Sequence, residues 1–309
     1  MVLITGAGGM LGSYVKEQFF DEPVATLGLK ENSDFRVDIT AKSPDFRNLT
    51  FETVIHCAGT EDESSAYALN LDGTKKLLAA LEKNPPRNLV YVSSFRVYSH
   101  DAGEGIKEDA NTWATGKVGK SKALAEQYVK DWCDRHDVTL TVLRPARMFG
   151  NGVSGESLSL FNDALSGKYI HIRGNDAKVS VVTAYDVARG IKALYKTGGI
   201  YNVADNVNPR LIDMVEAMTA NAGAKKRMTH LPIAWAEWLW RLARWIPSIN
   251  RNLSPSVVEE RMKTLTLDGS YFSDMAGIRY HDTIAVMERM DPDYPYSDKS
   301  VNKKTIHEA

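Results

Sequence analysis

The sequence predicts an α/β protein built around a doubly wound parallel sheet. Short apolar runs of strand length alternate with segments of helical periodicity through the first half of the chain, which is typical of βαβ units. The first run leads directly into a glycine-rich turn that opens a helix. With 43% hydrophobic and 25% charged residues, the chain can bury a substantial core.

The elements of the first half are placed by their apolar periodicity. Strands are predicted at 2–5, 24–29, 53–57, 88–93 and 138–143, where short continuous apolar runs occur. Helices are predicted at 10–20, through 70–81 and at 116–135. The last strand is expected to end at Arg144-Pro145, because the residue before a proline is biased away from the helical region.

After residue 150 the alternation becomes less regular. Helices are predicted at 157–166 and 185–195, and strands at 169–172 and 179–182. This pattern predicts a smaller region that is partly interleaved with the first. The expected division is therefore 1–150, with a contribution from about 175–205, followed by 151–309.

The glycine turn directly follows the first predicted strand. Gly6, Gly9 and Gly12 form a G-x-x-G-x-x-G pattern. Glycine permits the tight turn at Gly6, close approach of a pyrophosphate at Gly9 and close packing of the helix on the sheet at Gly12. The pattern predicts a Rossmann-type site for a nicotinamide dinucleotide, and a purely structural turn is the alternative.

Further motifs extend this pattern over most of the chain. They are Asp38-Ile39, His56-Cys57-Ala58-Gly59, the N-x-x-G-T run that starts at Asn70, the S-S-x-x-V-Y run that ends at Tyr98, the R-P-x-x-x-F-G run that starts at Arg144, and Tyr201-Asn202-Val203. With these motifs the chain resembles the extended branch of the short-chain dehydrogenase/reductase superfamily, in particular its NAD-dependent epimerase/dehydratase members. The resemblance implies a Rossmann-type sheet, a smaller substrate-binding region at 151–309, and NAD or NADP as cofactor.

The resemblance also implies which residues bind the cofactor. They are Gly6, Gly8, Gly9, Met10, Leu11, Gly12, Lys30, Asp38, Ile39, Cys57, Ala58, Gly59, Lys122 and Pro145. An acid at the end of the second strand would grip the ribose of NAD, but Gly28 stands there and Lys30 follows it. Lys30 slightly favours the extra phosphate of NADP, and a solvated loop lysine is the alternative.

The usual catalytic pair of the superfamily is incomplete. Its Tyr-x-x-x-Lys spacing places both residues on one helix face, where the ammonium lowers the phenol pKa. Here Lys122 is present, but Val118 stands at the tyrosine position, and valine cannot transfer a proton. Ser94 aligns with the hydroxyl that orients the substrate carbonyl, so the expected catalytic residues are Ser94 and Lys122.

Other routes for the proton remain open at this point. Tyr98, His56, Thr115 and Lys117 are placed near the cofactor by the resemblance, but none occupies a position that the superfamily uses for acid–base work. Packing is the simpler role for Tyr98, and lining of the loop is the simpler role for His56. The alternative role for Ser94 is structural: its hydroxyl would form a hydrogen bond with a backbone group at the strand end. Substrate-assisted chemistry and a water molecule are further alternatives.

Composition limits the partners. The 38 basic and 39 acidic residues give a net charge of −1, which disfavours nucleic acid. Two cysteines without metal-ligand spacing predict no metal site and a reducing compartment. With no targeting segment and no apolar stretch of membrane-spanning length, a cytoplasmic protein is expected. A small-molecule substrate and, by analogy, a homodimer are the expected partners.

A tryptophan-rich helix is predicted at 232–246. Trp235, Trp238, Leu239, Leu242 and Trp245 fall at helical spacing along one stripe. The stripe is predicted to pack on the second region or on a partner subunit, with a substrate-pocket wall and a membrane surface as the alternatives. The sequence after it loosely resembles 3-beta-hydroxysteroid-dehydrogenase-like proteins, which favours a hydrophobic or modest-sized carbonyl substrate over a nucleotide sugar with its diphosphate.

Two hypotheses of function follow. The first is an NAD(P)-dependent oxidoreductase, epimerase or dehydratase that acts on a small carbonyl or hydroxyl substrate without the usual tyrosine. The retained cofactor motifs support it. The second is a binding module that senses NAD(P) without turnover, and Val118 supports that one.

Overall fold

The computed structural model describes residues 1–99, 103–221, 228–243, 245–246 and 253–290. The strands in this part of the chain are β1 (Val2–Thr5), β2 (Val24–Gly28), β3 (Phe35–Arg36), β4 (Thr53–His56), β5 (Asn88–Val92), β6 (Gly103–Ile106), β7 (Thr139–Pro145), β8 (Arg147–Phe149), β9 (Ile170–Ile172), β10 (Val181–Thr183), β11 (Gly199–Val203), β12 (Thr229–Leu231) and β13 (Leu265–Leu267).

The helices surround these strands. They are α1 (Met10–Gln18), α2 (Thr74–Leu81), α3 (Lys117–His136), α4 (Gly155–Ser166), α5 (Ala184–Leu194), α6 (Leu211–Asn221), α7 (Ile233–Ala243), α8 (Pro255–Arg261), α9 (Ser270–Ala276) and α10 (Thr283–Met287). A π-helical segment (Tyr67–Gly73) runs directly into α2, and a 3₁₀ turn (Phe95–Val97) follows β5. Within the described residues, no helix combines the length and the apolarity that crossing a bilayer requires.

A seven-stranded parallel sheet confirms the predicted fold class. Its strand order is β11-β7-β5-β4-β1-β2-β3, so the chain starts in the middle of the sheet and builds outward in both directions. Residues of α1 and α5 form one core cluster with the sheet, and residues of α2 and α3 form a second one. The sheet is therefore covered by helices on both faces, and its central strands β1, β4 and β5 are buried along their whole length.

The predicted elements agree with the structure to within two residues, with two exceptions. The helix predicted at 232–246 is α7, which ends three residues earlier, at Ala243. The helix expected through 70–81 begins earlier, as the π-helical segment from Tyr67. The prediction also missed β11, which pairs in register with β7 at the sheet edge, for example Tyr201 with Leu143. Gly198 directly precedes this strand and Gly199 begins it, both with positive φ, and these glycines hide the strand pattern in the sequence.

The remaining elements form smaller units next to the sheet. Three short parallel pairs, β8 with β10, β9 with β12 and β6 with β13, connect distant parts of the chain. Helices α4, α6 and α10 share a core that contains Phe161, Met214 and Met287. Helix α7 packs on Ile172 and on residues of α8 through Ala236. These units bring residues from 147 to 267 close to the carboxyl ends of the sheet strands.

Candidate active site

The glycine turn between β1 and α1 leaves no room for a side chain at Gly6 and Gly12 and is less crowded at Gly9. Gly6 has a φ of +66°, and a Cβ atom there would lie 2.7 Å from the backbone nitrogen of Ala58. A Cβ atom on Gly12 would lie 2.2 Å from the carbonyl oxygen of Gly6. Gly9 is the N-cap of α1, and a Cβ atom there would meet nothing closer than 3.3 Å. The first amides of α1 can therefore face a pyrophosphate at Gly9.

Two matched variants test this arrangement. Gly12→Ala is expected to lower the free energy of unfolding by about 1–3 kcal/mol and to weaken NADH and NADPH binding, because the new methyl group collides with the turn backbone. Gly9→Ala is expected to weaken dinucleotide binding about tenfold or more with a smaller loss of stability than Gly12→Ala, because its Cβ atom would lie 3.3 Å from the Gly6 carbonyl oxygen instead of 2.2 Å. Urea denaturation and calorimetric titration measure the two effects. Equal losses of stability in both variants would contradict this assignment.

A buried chain of hydrogen bonds holds the loop after β4 against the glycine turn. The hydroxyl of Thr5 accepts the backbone N–H of Ala58 at 3.2 Å and lies 2.6 Å from Nδ1 of His56. Nε2 of His56 lies 2.9 Å from the hydroxyl of Thr74, which donates to the carbonyl oxygen of Asn70. With the proton on Nε2, every donor has an acceptor. Burial lowers the pKa of His56 to about 3, so His56 is neutral and structural and is not the missing proton donor.

Asn70 ties the same loop to α3, and the predicted list of site residues missed this role. Its Oδ1 atom accepts the backbone N–H of Thr60 at 2.8 Å. Its Nδ2 atom donates to the carbonyl oxygen of Thr60 at 3.0 Å and to the hydroxyl of Ser121 at 3.1 Å. Ser121 is the residue before Lys122. The N-x-x-G-T motif marked Asn70 as unusual, but only the tertiary contacts show that it positions the loop and α3 together.

Lys122 lies beside this loop at the predicted reacting centre. Its side chain is buried, and Nζ donates to the carbonyl oxygen of Val92 at 2.8 Å and lies 5.2 Å from the ring centroid of Tyr91. A Cβ atom on Gly59 would lie 2.8 Å from Nζ, so the glycine lets the ammonium reach the loop. Burial lowers the pKa of Lys122 to about 8, and nearby acidic groups oppose only part of this shift.

The side chain at position 118, one helical turn before Lys122, cannot donate or accept a proton. Val118 is 2% exposed and presents only methyl groups. Its backbone N–H donates to the carboxylate of Glu63 at 3.4 Å, and that of Lys117 does so at 2.8 Å. A carboxylate from the loop after β4 therefore caps α3. The side chains of Thr115 and Lys117 are exposed to solvent.

Ser94 lies at the end of β5, partly buried. Its hydroxyl oxygen accepts the backbone N–H of Arg96 at 3.2 Å, which is the backbone role given above as its alternative. Because the oxygen is the acceptor in this bond, the hydroxyl hydrogen remains free to point at a substrate oxygen. The local structure is therefore compatible with both roles of Ser94.

Tyr98 belongs to a buried network away from the reacting centre. Its hydroxyl donates to Oδ1 of Asn202 and accepts from Nη1 of Arg144, both at 2.8 Å. Arg144 also forms a bidentate ion pair with Glu126 on α3, at 3.1 and 2.8 Å. The sequence motifs around 98, 144 and 202 are thus parts of one network that joins β7, β11 and α3. Tyr98 is a packing residue, which was the simpler role predicted for it.

The predicted adenosine end of the site lies beside Gly8. The alkyl chain of Lys30 covers this glycine, with Cδ 2.7 Å from where a Cβ atom would lie. Asp38 is exposed, and its carboxylate accepts the hydroxyl and the backbone N–H of Thr40 at 2.7 and 2.8 Å. These two hydrogen bonds hold the pKa of Asp38 below its usual value. Gly28 ends β2 and offers no carboxylate to a ribose.

The other predicted cofactor residues contribute backbone or packing. Leu11, Ile39 and Pro145 are buried, and Met10 is partly buried at the first position of α1. Cys57 keeps its proton, because burial raises the pKa of its thiol to about 12. Within the described part of the chain, no group of three His, Cys, Asp or Glu side chains is placed to hold a metal ion.

Three arginines from distant parts of the chain converge near the carboxyl ends of the sheet strands, and sequence analysis missed them. Arg96 and Arg147 both pair with Glu156, the second at 3.0 Å. Burial would raise the pKa of Glu156, but Arg147, Arg96 and Arg261 outweigh it and hold that pKa at about 2. We call Arg96, Arg147 and Arg261 the arginine cluster. The Nε atom of Arg147 is buried and has no hydrogen-bond partner among the described residues.

A cleft opens beside the arginine cluster. It is lined by Phe95, Arg147, Val179, Ser180, Lys263, Leu265 and Leu267. The guanidinium groups of Arg96 and Arg147 each lie 5.7 Å from the ring centroid of Phe95. Guanidinium groups recognise phosphates through several directed hydrogen bonds, and the buried Nε–H of Arg147 needs an acceptor. The cleft therefore suits an anionic ligand.

Comparison with known proteins places this geometry in context. A family model, the NAD dependent epimerase/dehydratase family, matches residues 2–204. The chain is 26% identical over 253 residues to the N-acetyl-alpha-D-glucosaminyl-diphospho-ditrans,octacis-undecaprenol 4-epimerase of Escherichia coli O157:H7, and the match covers 75% of each protein. This family match confirms the resemblance that the sequence motifs indicated.

Solved structures confirm the fold. The UDP-glucuronic acid 4-epimerase from Bacillus cereus in complex with NAD has a TM-score of 0.71 at 16% identity, and the match covers 95% of each chain. RMD from Pseudomonas aeruginosa complexed with NADPH has a TM-score of 0.69 at 19% identity, over 93% of this chain and 96% of that one. Proteins with this fold thus bind either nicotinamide dinucleotide.

Proposed function

The chain belongs to the NAD-dependent epimerase/dehydratase family, and from this premise we propose that it is an NAD(P)-dependent enzyme that epimerises a sugar carried on a diphosphate. The observation that supports the diphosphate is the arginine cluster, in which the Nε–H of Arg147 is buried and has no hydrogen-bond partner among the described residues. The loose resemblance to 3-beta-hydroxysteroid-dehydrogenase-like proteins favoured a carbonyl substrate over a nucleotide sugar, whose diphosphate needs several basic contacts. In the fold, Arg147 and Lys263 line the cleft, and Arg96 and Arg261 lie near the same carboxylate, Glu156, as Arg147.

The dinucleotide would lie across the glycine turn and the loop after β4. Gly9 leaves the N-terminus of α1 open for the pyrophosphate, and Gly59 lets Lys122 reach toward the nicotinamide ribose. The residues present therefore fit the cofactor. When bound, the nicotinamide would supply the hydride-transfer chemistry that epimerisation through a keto sugar requires.

Lys122 is the residue to which we assign the proton transfer that Val118 cannot perform. Its pKa of about 8 leaves a substantial neutral fraction near that pH, and a neutral amine accepts the proton of a sugar hydroxyl. The resulting ammonium can return the proton when the hydroxyl forms again. Ser94 would donate a hydrogen bond to the same substrate oxygen, since its own oxygen already accepts from Arg96.

Val118 supports a second candidate, the binding module that holds NAD(P) without turnover. An epimerisation assay separates the two candidates. We expect the unaltered protein to interconvert 4-epimers of an N-acetylhexosamine on UDP or on a polyprenyl diphosphate, with the products separated by chromatography. Turnover seen only in Val118→Tyr would instead support the binding module. A lack of turnover in both proteins, with dinucleotide bound, would contradict the proposed reaction.

Substitution of Arg147 tests the proposed diphosphate contact most directly. Arg147→Gln is expected to lower kcat/KM about tenfold or more, mainly through a higher KM, because a charge-assisted contact to phosphate is lost. Arg135→Gln, which changes an exposed arginine at the end of α3, is the matched control and should leave kcat/KM unchanged. An unchanged KM in Arg147→Gln would show that the cleft does not hold the diphosphate.

Lys30 tests the preference for NADP. Its side chain already covers Gly8 at the adenosine end, so its ammonium can reach a ribose phosphate there. Lys30→Ala is expected to weaken NADPH binding about tenfold and NADH binding much less, because only NADPH carries the extra phosphate. Calorimetric titration of both dinucleotides measures the ratio. Equal weakening of both would mean that Lys30 does not select the cofactor.

A further inference from the structure

Helix α7 presents large apolar side chains to solvent on one face. Trp235, Trp238 and Leu242 are 63%, 58% and 57% exposed, and their spacing places them on one side of the helix. We call these three residues the α7 stripe. The inward face is formed by Ala236 and Leu239 together with Trp240, which pack toward α8. The stripe predicted from the sequence therefore does not pack on the second region, and Leu239 does not belong to it.

The exposed surface continues beyond the helix. Trp245 and Ile246 are 76% and 49% exposed, and Ile233 at the start of α7 is 47% exposed. Contiguous apolar patches of this kind on soluble proteins mark surfaces that bind a partner or a membrane. Tryptophan is enriched where one end of a ring meets hydrocarbon and the other meets water, as at the headgroup layer of a bilayer.

The charge of this part of the sequence indicates the kind of partner. Arg241, next to the α7 stripe, is exposed, and the acid on the helix is Glu237. In the sequence from 222 to 252 there are six basic residues and this one acid, although the whole chain has a net charge of −1: Lys225, Lys226, Arg227, Arg241, Arg244 and Arg251. A basic stretch with exposed indoles complements anionic lipid headgroups.

The α7 stripe is also connected to the candidate substrate site. Helix α8 packs under α7 through Val258. The last residue of α8, one turn later, is Arg261 of the arginine cluster, which lies close enough to Glu156 to lower its pKa. The same short helix thus packs against the inward face of α7, opposite the α7 stripe, and ends at a residue of the arginine cluster.

We infer that the α7 stripe is the surface by which this protein binds the face of an anionic lipid bilayer, with α7 lying along the headgroup layer. Binding through α7 brings the cleft near the bilayer, where a sugar on a membrane-anchored diphosphate would be presented. That consequence rests on the proposed function, whereas bilayer binding itself does not. The E. coli relative is itself named for a sugar on undecaprenol diphosphate.

Vesicle flotation with the full-length protein tests the inference. The protein is expected to float with vesicles of phosphatidylcholine and phosphatidylglycerol, to float much less with phosphatidylcholine alone, and to be released by added salt. The double variant Trp235→Gln/Trp238→Gln should lower vesicle binding about tenfold or more, because two indoles leave the headgroup layer. Its thermal unfolding should be unchanged, since both side chains are exposed.

Phe20→Gln is the matched control. It replaces an aromatic residue that is 88% exposed after α1, and it should bind vesicles like the unaltered protein. Binding that is absent with both lipids, or equal in the double variant and the unaltered protein, would overturn the inference. A soluble dimer that the double variant dissociates, found by sedimentation without vesicle binding, would also overturn it. Because no substrate is used, these results are independent of the proposed reaction.

Discussion

Lys122→Met is expected to reduce turnover about 10²- to 10⁴-fold, the range typical for loss of a positioned acid or base. The fold should survive, because methionine fills similar space and removes a buried amine whose pKa is already lowered to about 8. Lys120→Met is the matched control, since Lys120 is exposed on the same helix and should leave the rate unchanged. Initial rates and thermal unfolding of the three proteins measure the effect.

Lys122→Arg separates proton transfer from simple binding of the ribose. Arginine keeps the positive charge but does not deprotonate near neutral pH, so this variant should bind dinucleotide and remain inactive. For the unaltered protein the rate should rise with pH and level off above about 8, because the neutral amine is the active form. A flat profile between pH 7 and 9, or an active Lys122→Arg variant, would contradict the proton transfer and leave Lys122 as a ribose contact.

The ion pair between Arg144 and Glu126 is expected to dominate the stability of the site's framework. Both residues are buried, 4% and 8% exposed, and their side chains form two hydrogen bonds. Arg144→Met should lower the free energy of unfolding by about 3–5 kcal/mol, because it leaves the Glu126 carboxylate buried without its partner. Urea denaturation measures this loss, which should also lower activity by loosening α3.

The double variant Arg144→Met/Glu126→Met tests the cause of that loss. Removing both charges should recover much of the stability, because no unpaired charge remains buried. A double variant as unstable as Arg144→Met would instead assign the loss to the bonds that Arg144 makes with Tyr98 and with the carbonyl oxygen of Glu108. In either case the network, and not catalysis, explains why arginine and tyrosine occupy these positions.

The residues best predicted from the sequence are those whose requirement is local. Gly6, Gly9 and Gly12 were identified because a strand that turns directly into a helix needs residues without side chains, and the structure shows short contacts at two of them. The replacement of tyrosine by Val118 was also visible, since the helix spacing to Lys122 is local. His56 and Tyr98 were harder to assign, because their partners are Thr5, Thr74, Asn202 and Arg144 from other elements.

The arginine cluster and the α7 stripe are two features that could not be predicted from the sequence. Arg96, Arg147 and Arg261 are more than 50 residues apart from one another in the sequence. They lie on the 3₁₀ turn after β5, on β8 and on α8, which only folding brings together. The tryptophans of α7 gave an amphipathic pattern, but helical periodicity does not specify which face of the helix is buried. Packing on Ile172 and Val258 decided that Ala236 faces the core and Trp235 faces solvent.

The sequence by itself determined the parallel sheet, the glycine turn, the presence of Lys122 and the absence of a phenol at Val118. Each depends on residues within one strand–turn–helix or one helical turn, where chain connectivity already places the atoms. Only the tertiary structure decided that His56 is neutral, that the buried Nε–H of Arg147 has no partner in the part of the chain that the structure describes, and that the α7 stripe is exposed. Burial, charge pairing and exposure arise from contacts between distant segments, and these contacts exist only in the folded chain.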